Sequence, residues 1–105
     1  MRFVETPVFT RELSELLNEE DYRALQLALV FRPEQGKLIP GTGGLRKLRW
    51  TVGARGKRGG CRVIYYWDKK KETIYMLLIY AKSKQEDMTP SQARLLSRLV
   101  REEFK

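Results

Sequence analysis

Two apolar runs, residues 61–67 (CRVIYYW) and 73–82 (TIYMLLIYAK), are separated only by the polar segment DKKKE. This arrangement constrains the fold more than any other feature of the chain. Both runs are rich in β-branched and aromatic residues and DKKKE reads as a turn, so the two form a β-hairpin. The second run is apolar on both faces, as expected of a strand at the centre of a sheet. If Trp67 pairs with Thr73 across the turn, Arg62 lies opposite Leu78 and shares a face with Lys82. A register of the other parity would separate them.

Other segments fall into place around the hairpin. Residues 2–5 read as a short first strand stopped by Pro7, whose missing N–H cannot serve an interior ladder. Thr10 is placed to cap a first helix that carries Phe9, Leu13, Leu16 and Leu17 and ends near Asn18. Asn18 caps a second helix, with Glu19, Glu20 and Asp21 in the first turn, where exposed N–H groups favour negative charge. Its inward face is Tyr22, Leu25, Ala28 and Leu29, and Pro33 with Gly36 ends it. Residues 36–40 are a connection or a short edge strand. In 46–51, Leu48 and Trp50 alternate with Lys47 and Arg49, so a strand there buries one side and presents cations on the other.

Near the C-terminus, Thr89, Pro90, Ser91 and Gln92 form a capping box with proline at the first helical position, flanked by Met88 and Ala93. Leu95, Leu96, Leu99 and Val100 then make one apolar stripe, with Arg94, Arg98 and Arg101 outside it. Strand, helix, helix, three or four strands and a last helix indicate an α+β fold with a mostly antiparallel sheet, two N-terminal helices and a C-terminal helix. The 105 residues are expected to form one domain, 1–105, with its own core.

Charge is distributed unevenly over this scaffold. No acidic residue stands between Glu34 and Asp68, whereas Lys37, Arg46, Lys47, Arg49, Arg55, Lys57, Arg58 and Arg62 do, matching the net charge of +8 for the whole chain. Elsewhere basic and acidic residues cancel. Positive charge confined to one glycine-rich interval suggests a surface for a polyanion. Gly53, Gly56, Gly59 and Gly60 are interleaved with Arg55, Lys57 and Arg58, so the backbone there can approach a ligand closely and offer N–H donors.

Several chemistries are excluded or weakened. The chain has no His and a single Cys, hence no ordinary zinc site, no imidazole acid or base and no internal disulfide. No metal or cofactor is expected. Cys61 reads as a small packed residue. GTGGLRK lacks the order a phosphate-binding P-loop requires. Tyr65, Tyr66 and Trp67 suit a core more than a base-stacking platform, although one can serve both. With no signal-like start and no membrane-length apolar run, the protein is expected to be soluble and cytoplasmic.

A cationic cluster can cleave RNA when the nucleophile is the substrate's own 2'-hydroxyl. Arginine's planar fork suits the charged phosphorane, and a lysine crowded by like charges has a lowered pKa that fits it for proton transfer. Plain electrostatic binding without chemistry is the competing reading of such a patch.

The segments FVETPVFTREL, GKLIPGTGGLRKLRW, ARGKRGGCRVIYY and LLIYAKSK together resemble the RelE/HigB toxins of bacterial type II toxin-antitoxin systems, in a HigB-like branch. The resemblance spans essentially the whole chain. It implies a RelE-like microbial ribonuclease-toxin fold, metal-free cleavage of mRNA in the ribosomal decoding site, and a cognate antitoxin that often carries a helix-turn-helix DNA-binding domain. The arginine that opens the RVIYY strand matches Arg62, and the lysine of the preceding loop matches Lys57. Lys82 and Lys84 are the candidates for the basic residue after the last strand. Arg46, Lys47, Arg49, Arg55 and Arg58 are expected to bind RNA or the ribosome. Where many members have tyrosine or histidine near the final helix, this chain has Met88. The expected function is that of an mRNA interferase, with a non-catalytic RNA or ribosome binder and a ParE-like DNA gyrase inhibitor as alternatives on the same scaffold.

Overall fold

In the computed structural model, which describes residues 1–51 and 60–104, the hairpin forms the middle of a five-stranded sheet. Its strands are β1 (Arg2–Glu5), β2 (Lys37–Leu38), β3 (Leu45–Trp50), β4 (Cys61–Asp68) and β5 (Thr73–Ala81), in the spatial order β1-β5-β4-β3-β2. β1 runs parallel to β5, and the remaining pairings are antiparallel. The helices among the described residues are α1 (Pro7–Leu16), α2 (Glu19–Phe31) and α3 (Pro90–Leu99), the last continuing as a π-helical turn over Val100–Phe104. The α+β class expected from the sequence is the class observed. No helix among the described residues is long and apolar enough to cross a membrane.

Side-chain alternation along β4 builds two apolar layers, one on each face of the sheet. Cys61, Val63 and Tyr65 join Phe9, Leu25 and Leu29 of α1 and α2, whereas Ile64 joins Leu45, Leu96 and Val100 on the α3 side. Both layers are needed, because the central strands are apolar on both faces.

The hairpin register differs from the one expected. Asp68, not Trp67, meets Thr73, and the ladder slips again between Ile64 and Tyr65, where β5 carries Leu77 as an extra residue. This β-bulge lets Leu77 and Leu78, adjacent in sequence, both pack in the α3 layer. Beyond the bulge Arg62 lies opposite Tyr80 rather than Leu78. The Lys82 N–H donates to the Gly60 carbonyl at 3.2 Å, which extends that register past the end of β5.

Helix α1 starts a turn earlier than expected. Thr6, not Thr10, is its cap, accepting from the Phe9 N–H at 3.0 Å, and Pro7 opens the helix where its missing N–H leaves nothing unsatisfied. Thr10 instead donates to Glu5 at 2.5 Å, and Tyr22 of α2 donates to the other Glu5 oxygen at 2.6 Å. One carboxylate thereby ties β1 to both helices. Burial, with the Glu5 bond and charge, pushes the Tyr22 phenol well above its usual range.

The other caps are as the sequence indicates. The Asn18 side chain accepts from Asp21 N–H at 2.7 Å, and Thr89 with Gln92 makes both bonds of the capping box. The α3 stripe is narrower than expected, since Leu96 and Val100 are buried but Leu95 is 62% exposed.

Candidate functional site

On β3, Leu48 and Trp50 pack into the α1 and α2 layer, which leaves Lys47 and Arg49 on the face that α3 covers. Pairing sets Arg49 directly opposite Arg62, and Arg62 directly opposite Tyr80. Directly paired side chains share a face with Cβ atoms about 5 Å apart, so these residues form a row across β3, β4 and β5. In the next row, Lys47, Ile64 and Leu78, the apolar layer continues. Arg49 and Arg62 thus stand at the end of the face, in the row where Tyr80 closes the apolar layer.

Arg62 is only 7% exposed and its Nη1 donates to the Cys61 carbonyl at 3.3 Å, whereas Arg49 is exposed. Asp87, in the segment leading to α3, accepts a hydrogen bond and ion pair from Lys47. That bond and the Lys47 charge hold the Asp87 carboxyl below the usual carboxylate range, with Arg62 acting in the same direction.

Tyr80 completes the row. Its hydroxyl is buried and, among the described residues, makes no hydrogen bond. A buried hydroxyl without a partner costs roughly 1–3 kcal/mol, and this one stands in the same row as Arg62. Burial raises the phenol pKa, Asp87 adds to the rise and Arg62 opposes it. At neutral pH Tyr80 is therefore protonated and can donate.

The other sequence candidates separate into groups. Arg46 stands on the opposite face from Lys47 and Arg49, and its Nη1 donates to the Glu34 and Gly36 carbonyls at 3.0 and 2.8 Å, fastening the chain that leaves α2. The structure thus gives it a structural task and does not bring it to the cationic row. Lys82 and Lys84 lie in the turn after β5, both exposed, with the Lys84 N–H donating to the Ala81 carbonyl at 3.0 Å. Arg55, Lys57 and Arg58 lie outside the described residues.

Next to that segment, Gly60 adopts a φ of +67°, and a Cβ on it would lie 2.1 Å from the Trp50 carbonyl oxygen. Only glycine fits where β4 begins against the end of β3.

Two bystanders are settled by their surroundings. Burial pushes the Cys61 thiol up to about 11, so it stays protonated and packed. The Tyr65 hydroxyl donates to the Pro33 carbonyl at 2.7 Å and accepts from the Gly36 N–H at 2.9 Å, which makes it a core strut rather than a stacking surface. Tyr80 and Asp87 are the site residues the sequence reading missed. A tyrosine two positions before Lys82 in the strand facing Arg62 was the available signal for the first.

These features define a small α+β architecture in which a mixed five-stranded sheet carries a cationic row at one end of its α3 face. No family model matches the sequence. The fold is similar to that of the Escherichia coli toxin RelE, in the free state of a form with two arginines changed to alanine. The TM-score is 0.57 at 14% sequence identity, over 81% of this chain and 86% of that one. The likeness is one of fold: a RelE-like arrangement of three helices and five strands.

Proposed function

We propose that this chain is a single-domain, HigB-like toxin of a type II toxin-antitoxin pair that acts in the cytoplasm as a ribosome-dependent mRNA endoribonuclease. The observation that carries the reading is the row Arg49, Arg62 and Tyr80, two cations and a protonated hydroxyl side by side on a RelE-like sheet. In the proposed reaction the substrate's 2'-oxygen attacks the adjacent phosphorus, the bond to the 5'-oxygen breaks, and a cyclic phosphate remains. Arg62, positioned with Arg49, stabilises the extra negative charge of the phosphorane. Tyr80 supplies a hydrogen bond or proton toward the leaving oxygen, once substrate reaches its hydroxyl. Lys57 acts as base, taking the 2'-hydroxyl proton, or as acid toward the leaving oxygen with water taking that proton, and Lys82 or Lys84 completes the charge around the scissile phosphate.

Such a site has no imidazole and depends on geometry. In-line attack needs sugar and phosphate in one uncommon arrangement, and orientation alone supplies several kcal/mol of a barrier. A ribosome that already holds the mRNA in shape provides it. The test compares purified protein on naked mRNA with mRNA in a programmed ribosome whose A site is empty. Discrete cuts on the ribosome alone are expected. Equal cleavage of both substrates removes the ribosome requirement, and cleavage of neither, with DNA supercoiling inhibited instead, favours the ParE-like alternative.

The cognate antitoxin, expected to carry a helix-turn-helix domain, has apolar as well as charged surface to bury. Phe31 is 84% exposed at the end of α2, and Leu95 on α3 lies beside the exposed Val8. Exposed ion pairs contribute only about 0–1 kcal/mol each, so the complex is expected to survive 1 M salt.

A further inference from the structure

A further cationic surface lies on α3, across a cleft from a turn of the glycine-rich interval. Arg94, Arg98 and Arg101 are all exposed and line one side of a cleft of roughly 370 Å³, whose other side is the turn Pro40, Gly41 and Thr42. Among the described residues Arg11 and Lys47 ion-pair with carboxylates, and none of these three arginines does. Arg94 and Arg98 stand four residues apart on the helix, a spacing at which like charges destabilise it. Arg98, in the last turn of α3, is favoured by the helix dipole, but the stripe as a whole has no anionic partner among the described residues and is open to one outside the chain.

The direction of α3 connects this stripe to the candidate site. The segment just before the helix is tied to β3 by the Lys47 to Asp87 ion pair, and just after it Val100 comes to 3.7 Å from where a Cβ on Gly43 would lie. The helix therefore runs along β3 from the row of Arg49 and Arg62 toward the turn that precedes Leu45. Arg94 to Arg101 covers about 10 Å of helix, the rise over which one strand of a duplex carries roughly three phosphates. Guanidinium forks suit phosphate oxygens, which they grip with paired N–H groups.

We propose that Arg94, Arg98 and Arg101, with the cleft at Pro40 to Thr42, bind successive backbone phosphates of a structured, double-stranded RNA segment while the sheet row meets the single strand to be cut. The inference rests on the reading of the chain as a ribosome-dependent nuclease and names the second RNA element that it holds. One face of the protein then serves two tasks. The sheet end performs chemistry on a splayed strand, and the helix fixes the position of the protein by sequence-independent contacts.

The test uses the full chain and a labelled RNA hairpin whose riboses are 2'-O-methylated, so that binding is measured without cleavage. Affinity is followed between about 50 and 200 mM salt for the parent, for R94Q/R98Q/R101Q and for R94K/R98K/R101K. Loss of three contacts reduces the slope of log affinity against log salt by about 2 to 3 in the glutamine variant, and the lysine variant keeps most of the slope. All three side chains are exposed, so equal thermal midpoints are expected and serve as the folding control. A glutamine variant with the parental slope overturns the proposal. So does a variant that keeps RNA binding but no longer retains poly-glutamate, which assigns the stripe to an acidic protein partner. A slope that falls as expected in a protein that cuts no mRNA on the ribosome refutes the nuclease reading and leaves the RNA surface standing.

Discussion

Arg49 and Arg62 face each other directly across the β3 and β4 ladder, a placement that like charges disfavour by a few tenths of a kcal/mol or more. Arg49→Thr is therefore expected to raise stability by about 0.5 kcal/mol in urea titration while weakening RNA binding. Arg62→Lys keeps the charge but loses the fork that holds two phosphate oxygens, and is expected to abolish most growth inhibition while ribosome binding persists. An Arg62→Lys protein that arrests growth like the parent removes Arg62 from the chemistry.

Tyr80→Phe separates stability from activity. Removing a buried hydroxyl without a partner among the described residues relieves its desolvation, so the variant is expected to gain about 1 kcal/mol in urea titration. Cleavage on the ribosome is expected to fall at least tenfold. A Tyr80→Phe protein that cleaves like the parent makes the hydroxyl a packing accident.

Asp87→Asn tests the ion pair at the edge of the site. The folded-state pKa of Asp87 is depressed, so its contribution to stability is present above the unfolded carboxylate value of about 4 and is lost as pH falls through the lower folded value. The thermal midpoints of parent and variant are expected to differ by a constant amount at neutral pH and to converge in acid below that window. RNA binding at neutral pH is expected to tighten in the variant, because Lys47 is released and a negative charge is gone. Midpoints that stay equally far apart into strong acid contradict this assignment.

Gly60→Ala is expected to be costly far beyond a single methyl group. Its Cβ would overlap the Trp50 carbonyl oxygen and lie 2.8 Å from the Thr51 Cα, on a left-handed backbone. A loss of about 2–4 kcal/mol is expected in urea titration, with Arg62 displaced from Arg49 and cleavage lost. An alanine variant as stable as the parent would show that the start of β4 yields freely.

Features carried by local chemistry were legible in the sequence. Thr89 with Gln92, and Asn18 before three acidic residues, name helix starts because each cap is made within four residues of chain. The split of Leu48 and Trp50 from Lys47 and Arg49 was legible for the same reason, since period-two alternation is local. What failed depends on partners distant in sequence. Thr6 competes with Thr10 for the first cap, and Thr6 is held by donating its hydroxyl to the distant Leu77 carbonyl at 2.9 Å, while Glu5 engages Thr10 together with Tyr22 of α2. The slip at Leu77 has no glycine or turn residue to announce it, so the pairing of Arg62 with Tyr80 was hidden. Arg46, one more cation in a basic interval by sequence, is told apart only by the two carbonyls that fold back onto it.

The extra residue at Leu77 acts on β5 as a phase shift acts on a wave. Below it, Ile74 and Met76 give the strand's even positions to the α1 and α2 layer; above it, Ile79 takes that layer and Tyr80 passes to the other side. Were the ladder to continue unshifted, Arg62 would meet Ile79, placing an aliphatic chain beside the cations and the phenol among the helices. Closing the bulge with Leu77 kept in the ladder is thus a reading-frame error in three dimensions, exchanging the working side of the strand's end for its structural side, whereas deleting Leu77 itself removes the extra residue and leaves Arg62 opposite Tyr80. In this chain the lower half of β5 serves packing alone, while the upper half is held in step with Arg62.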